Sequence, residues 1–126
     1  MLNRREFSLA ALATAAATSP ALAHHGYMRW DTDNPIVMSG WISKEMDGFP
    51  HWEIDIRVDG VDWEVDVGDQ FVLKKAGLSP DGSDFALGRK LTVEGVRPVD
   101  QKIMRILPSR ITFEDGETYE LEITGS

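Results

Sequence analysis

The chain has 126 residues, with 13 Lys and Arg against 21 Asp and Glu, and its formal net charge is −8. This length leaves room for one domain, and a composition of 42% hydrophobic and 27% charged residues is typical of a globular protein. The absence of cysteine excludes disulfides, thiolate metal sites and cysteine nucleophiles. The acidic balance argues against nucleic acid as a partner, because phosphate binding depends on clustered Lys and Arg.

Residues 1–23 have the pattern of an export signal. Arg4 and Arg5 form a basic region, a mostly apolar stretch follows, and residues 21–23 (Ala-Leu-Ala) fit a cleavage site. The apolar run of about 11 residues is much shorter than a membrane-spanning helix, so we expect no transmembrane anchor in the mature chain. The paired arginines favour twin-arginine export over the general secretory route, and either route leads to the periplasm.

Cleavage after Ala23 makes His24 the first residue of the mature protein, followed by His25. We expect residues 24–35 to form an N-terminal arm and residues 36–126 to form the folded domain.

From residue 34 onward, polar and apolar residues alternate as they do in half-buried strands. A short helix is predicted from Asp69 as its N-cap to Gly77 in the left-handed conformation. Gly40 indicates a bulge or a tight bend in the first strand. The predicted strands are 36–46, 51–59, one after the Asp59-Gly60 turn carrying Trp63, Val65 and Val67, then 90–97, 102–107, 110–114 and 117–123.

Three strands, a short helix and further strands are the order of an OB-like antiparallel β-barrel, an all-β fold with one helix between the third and fourth strands. A curled antiparallel barrel without this topology is the alternative. The four tryptophans are assigned to the barrel core rather than to a stacking platform; they are Trp30, Trp41, Trp52 and Trp63.

An N-terminal histidine offers a metal ion both its α-amine and its ring nitrogen. One further imidazole completes the T-shaped set known as a histidine brace, which suits Cu(II). His51 is the expected third ligand, because it is the only histidine besides His24 and His25. In a second mode, the amine, the backbone nitrogen of His25 and the His25 ring bind Cu(II) without help from the fold. Such nitrogen sites bind copper more tightly than nickel or zinc. Met28 is a weaker candidate ligand through its sulfur atom.

The brace has a geometric condition. The arm must turn at residues 31–35 and pair residues 27–30 beside 36–41, and even then His24 falls several residues short of His51 at about 3.3 Å per residue. A bulge at Gly40, barrel curvature or an extended arm must close that gap.

Five carboxylates on the second and third strands are predicted to form a solvated outer face whose negative field attracts cations; they are Glu53, Asp55, Asp62, Glu64 and Asp66. No Ser-His-Asp arrangement, phosphate-binding loop, dinucleotide fingerprint or zinc-protease motif is present. The sequence therefore names no catalytic residue.

Several motifs, among them residues 24–27 (His-His-Gly-Tyr) and the Pro50-His51 pair, resemble an uncharacterised family of small exported bacterial proteins. Members begin, after the signal, with His-His-Gly-aromatic and carry Asn-Pro-His at the second strand. The resemblance covers the mature chain and implies an exported β-domain in which His24, His25 and His51 match recurrent positions. The chain departs from the pattern at Phe49, where the family usually has Asn, so an amide that could orient His51 is missing.

Three functions follow from these patterns. The first is a periplasmic Cu(II)-binding protein with a carrier, buffering or resistance role. The second is a metal-free OB-like binding or interaction module, for example an accessory subunit of a membrane redox complex, whose partner would be a periplasmic or membrane protein. The third, a brace-type copper oxidase acting on a polymer, is least favoured because the sequence predicts no flat, exposed aromatic surface.

Overall fold

The structure is a computed structural model that describes residues 28–48 and 51–123. Its described part contains six strands and one helix in the following order. They are β1 (Ile36–Asp47), β2 (Trp52–Val58), β3 (Val61–Gly68), α1 (Gln70–Ala76), β4 (Lys90–Val96), β5 (Arg105–Phe113) and β6 (Thr118–Glu120).

The first five strands close into a barrel. Their order in the sheet is β3-β2-β1-β4-β5, and β5 also pairs with β3, so the sheet returns to its own edge. The closing β3–β5 pairing is parallel and joins Glu64 to Arg105 and Val65 to Ile106, while every other strand pair is antiparallel. With α1 between β3 and β4, this confirms the OB-like barrel, and β6 extends the sheet beyond β5.

The alternation in β2 and β3 places apolar side chains inside the barrel. Ile54, Ile56, Val65 and Val67 are fully buried, and Trp63 is 8% exposed, because successive residues of a strand point to opposite faces.

The assignment of four tryptophans to the core is only partly right. Trp63 is in the core and Trp52 packs against it, whereas Trp30 is half-buried outside that cluster. Trp41 is 45% exposed, which corrects the prediction. Its parity explains the exposure, since Trp41 alternates with buried Ile42 along β1 and therefore points outward.

The helix has the predicted caps. The Asp69 side chain accepts hydrogen bonds from the backbone N–H groups of Phe71 and Val72, at 3.0 and 2.9 Å. Gly77 ends the helix with φ of 96° and donates to the carbonyls of the last turn. Leu73 faces inward and is fully buried, which fixes the helix against the core.

The predicted strands 102–107 and 110–114 are a single strand in the structure, and this corrects the prediction. β5 runs from Arg105 to Phe113 through Pro108. Proline lacks the N–H that a regular ladder needs, but Pro108 lies opposite Gly95, next to a register shift in the β4–β5 pairing. The last predicted strand, 117–123, is likewise reduced to Thr118–Glu120.

Gly40 marks a close approach of two backbones rather than a bulge. The register shifts of the β1–β2 pairing lie further along, between Ile42 and Lys44 and between Lys44 and Asp47. A Cβ atom on Gly40 would overlap the carbonyl oxygen of Arg57. The lack of a side chain at Gly40 therefore allows the backbone at the end of β2 to lie close to β1.

Among the described residues, Met28 and Arg29 belong to a different compact unit from the barrel, which begins at Trp30. None of the helices in the described ranges is long and apolar enough to cross a membrane.

Candidate metal centre and the outer face of the barrel

The N-terminal histidines His24 and His25 lie outside the described residues, as does Tyr27 of the predicted arm. Met28, the weaker candidate ligand, is half-buried and belongs to the unit outside the barrel.

The chain joins the barrel at Trp30, which forms an isolated antiparallel bridge with Pro98. The Asp31 N–H donates to the carbonyl of Arg97 at 2.9 Å, which fixes the entry of the chain next to the end of β4. This corrects the prediction that Trp30 pairs beside the first half of β1, because Trp30 pairs with Pro98 instead.

The predicted turn follows immediately. The Asn34 side-chain amide donates to both carboxylate oxygens of Asp31, at 2.9 and 3.1 Å, and its backbone N–H donates to the Asp31 carbonyl. This turn directs the chain into β1 at Ile36.

His51 is exposed and comes directly before β2. Its side chain makes no hydrogen bond or ion pair within the described ranges. An exposed imidazole can bind a metal ion through either ring nitrogen.

The attachment at Trp30 limits how far the arm can reach. Ile36 pairs with Gly95, so Trp30 and its partner Pro98 are near the start of β1, whereas His51 follows the end of β1. The 12 residues of β1 run for about 36 Å along the strand. Five residues lie between His24 and Trp30, and the six Cα–Cα steps that join the two span about 20 Å when fully extended. The arm thus reaches His51 only if the curvature of β1 supplies the remainder.

The other methionines add little to a metal site at His51. Met38 and Met46 pack against the hydrophobic core, and Met46 also lies against Gly82. Met104 is exposed, immediately before β5. In the described ranges, no three His, Cys, Asp or Glu side chains are grouped so that they could hold a metal ion.

The acidic residues of β2 and β3 are on the outer face, as predicted, but they are not uniformly solvated. Asp62 is exposed, whereas the other four, Glu53, Asp55, Glu64 and Asp66, are half-buried. The half-burial follows from the pairing of the two strands and from an arginine that β5 contributes.

That arginine is Arg105, which lies between two carboxylates. Its Nη2 contacts Glu53 Oε2, and its Nε is 3.7 Å from Glu64 Oε1. The Nε atom is buried and has no hydrogen-bond partner in the described structure. Sequence reasoning missed Arg105, because it meets Glu64 only through the parallel closing pair of the barrel.

The pKa of Glu53 is raised to about 7. Burial is the largest cause, since it disfavours the charged form, and the hydrogen bond to Glu64 and the negative charges of Glu64 and Asp66 add to it. The attraction of Arg105 opposes the shift but is outweighed by burial and by the neighbouring carboxylates together.

At the other end of the hairpin, Arg57 and Asp62 form a bidentate pair. Arg57 Nε and Nη2 donate to the two carboxylate oxygens of Asp62 at 2.8 and 2.7 Å, and the Ser43 hydroxyl donates to the same carboxylate at 3.0 Å. These hydrogen bonds lower the pKa of Asp62. The sequence held a signal for this pair, because a two-residue Asp59-Gly60 turn makes residues 57 and 62 cross-strand neighbours.

Trp41 lies beside this pair and was also missed as a surface residue. It is opposite Arg57 on β2 and opposite Lys90 on β4. Directly opposed residues on paired strands have neighbouring side chains on the same face. Arg57 and Lys90 are therefore the cross-strand neighbours of Trp41 on the outside of the barrel.

Comparison of the chain with protein-family models and with curated proteins returns no match.

Proposed function

We propose that the chain is an exported, periplasmic protein that binds Cu(II) through its mature N-terminal histidine, in a carrier, buffering or resistance role. The observation that carries the proposal is the pair His24-His25 directly after a cleavage pattern ending at Ala23. The resemblance to small exported proteins that begin with His-His-Gly-aromatic supports the same assignment. Nickel and zinc are the weaker competitors for these nitrogen ligands.

Of the two coordination modes, we favour the chelate made by His24 and His25 alone. The α-amine, the backbone nitrogen of His25 and its ring supply three nitrogens within two residues. The limited reach of the arm from Trp30 argues against the brace, because His51 is at the far end of β1. The exposed position of His51 keeps the brace as the second mode.

The test is a titration with Cu(II), on protein exported and processed by the cell. Mass spectrometry first establishes where the mature chain starts. Affinity is then measured by competition with a chelator of known strength for the unmodified protein, His25→Ala, His51→Ala and a form with four extra residues before His24. A four-residue extension is chosen because an extension of one or two residues places a histidine at the third position, where the terminal amine and backbone nitrogens form a different chelate.

The two-residue chelate predicts that His25→Ala and the extension each weaken Cu(II) binding by at least about tenfold, a loss of about 1.4 kcal/mol, while His51→Ala changes nothing. The brace predicts the opposite order for His25→Ala and His51→Ala. A mature chain that starts elsewhere than His24, or equal affinity in all four proteins, overturns the proposal.

The alternative function is a metal-free binding module on the same barrel. The exposed Trp41 on the sheet surface is the specific observation that favours it.

A further inference from the structure

The outer face of β1 carries an exposed aromatic side chain, Trp41, between polar neighbours. Trp41 lies between Ser39 and Ser43, the next outward-facing positions of the strand. Most of the large exposed hydrophobic side chains in the described ranges lie in loops or at the starts of elements, namely Val61, Phe71, Leu87, Val99 and Met104. Among these described side chains, Val37 and Trp41 are in the interior of a strand, and both face outward from β1.

The surroundings of Trp41 are rich in hydrogen-bonding groups that are already held in place. The bidentate Arg57–Asp62 pair uses two of the five guanidinium N–H donors, and both side chains are more than 40% exposed. Ser43 fixes the Asp62 carboxylate from a second direction. Donors and acceptors that remain free therefore face solvent next to the indole.

The other flank of Trp41 is also polar. Ser39 and Thr92 share a hydrogen bond of 2.7 Å between their hydroxyl oxygens, which leaves one hydroxyl hydrogen to donate elsewhere. Lys90 is opposite Trp41 and exposed. An apolar plane bordered on both sides by oriented donors and acceptors matches a sugar ring, which has an apolar C–H face and hydroxyls at its rim.

We propose that the outer face of β1, β2 and β4 around Trp41 binds a neutral, β-linked saccharide, with one pyranose ring stacked on the indole and its hydroxyls hydrogen-bonded to Arg57, Asp62 and Lys90. The charges support this class of ligand. The patch holds two cations, Arg57 and Lys90, and one carboxylate, Asp62, so its local charge is about +1, whereas the whole chain carries −8 and repels polyanions. A β-1,4-linked chain is extended and can therefore lie along an open sheet face. The proposal is independent of copper.

The test uses cellotetraose and chitotetraose as probes, titrated into the metal-free mature protein by calorimetry and by tryptophan fluorescence. We expect dissociation constants near about 0.1–1 mM for at least one of the two. We expect Trp41→Ala to weaken binding by at least about tenfold and Trp41→Phe to retain part of it, because a smaller ring still stacks. Asp62→Asn should weaken binding to an intermediate degree.

The matched control is Phe71→Ala, which removes another exposed aromatic side chain, 70% exposed on α1, and should leave binding unchanged. All variants are checked for an unchanged melting temperature. Absence of binding to both probes at 10-fold above the expected range, or binding that Trp41→Ala does not weaken, overturns the proposal. So does a Trp41-dependent association with anionic phospholipid vesicles or with a polyuronate alone, since that assigns the patch to another class of ligand.

Discussion

The two ends of the β2–β3 hairpin carry the same kind of interaction with opposite electrostatic results. Near the turn, Arg57 serves one carboxylate, Asp62, and the pKa of that carboxylate falls. At the open end, Arg105 serves Glu53 and Glu64 together, and the pKa of Glu53 rises to about 7. An arginine contact alone therefore does not decide the shift. The ratio of carboxylates to guanidinium groups and the loss of water around them decide it.

The largest expected effect on stability comes from a substitution that displaces the backbone of β2 near the hairpin turn and leaves the charges unchanged. In Gly40→Ala, the new Cβ would overlap the Arg57 carbonyl oxygen, and β2 must move away from β1. We expect the free energy of unfolding to fall by about 3 kcal/mol, because backbone cannot yield as a flexible side chain does. Urea unfolding measures the loss, and Ser39→Ala at the neighbouring outward position is the control. A loss below about 0.5 kcal/mol for Gly40→Ala would contradict the close approach.

The next effect compares the two arginines directly. Arg105→Met leaves Glu53 and Glu64 without their shared cation in a half-buried position, so we expect a loss of about 2 kcal/mol at pH 8. At pH 5 the loss should be smaller, because Glu53 is then protonated and needs no counter-charge. Urea unfolding at the two pH values measures both.

Arg57→Met is the matched control, since its partner Asp62 is exposed to water. We expect a clearly smaller loss of stability at both pH values. Equal losses in the two variants would show that the surroundings of the two arginines do not differ as described.

The smallest effect is a pH dependence. Glu53 ionises less readily in the folded protein than at its ordinary pKa of 4.5, so between about pH 4.5 and 7 the folded state holds more protons than the unfolded state. The free energy of unfolding should therefore fall as the pH rises through this window, by about 1–2 kcal/mol once the remaining solvent contact is allowed for. Glu53→Gln cannot ionise and should lose this slope, which urea unfolding across the window measures.

Asp62→Asn sharpens the contrast, because the pKa of Asp62 is shifted the other way. The stabilisation from Asp62 is present above its ordinary pKa of 3.8 and is lost as the pH falls through its lower folded value. This variant should keep the wild-type slope of stability against pH between pH 4.5 and 7, and its slope should differ only in more acidic solution. A slope that persists in Glu53→Gln would remove Glu53 as its cause.

The barrel was predictable from the sequence because its signals are local. Alternation, the Asp69 and Gly77 caps and the Asp59-Gly60 turn each specify their own segment, and the order of segments then favours the OB-like arrangement. The single strand β5 was not predictable. Pro108 indicates the end of a strand unless it is known that Gly95 lies opposite it.

The surface sites were harder to predict, because they depend on contacts between distant segments. Arg105 meets Glu64 only when the barrel closes, and nothing near either residue indicates this. The exposure of Trp41 follows from its parity with Ile42, but its neighbour Lys90 comes from β4. Where the arm enters depends likewise on the Trp30–Pro98 bridge, which has no local signature.

The short β3–β5 pairing that closes the barrel has a consequence for the order of folding and for local opening of the native state. It joins residues far apart in the chain through two residue pairs, with the Glu64 N–H donating to the Met104 carbonyl at 3.0 Å. Loop closure over that separation is slow compared with hairpin formation. The β3–β5 pairing should therefore form last during folding. It should also open first, so deuterium should replace the Glu64 amide proton before those in the middle of β2.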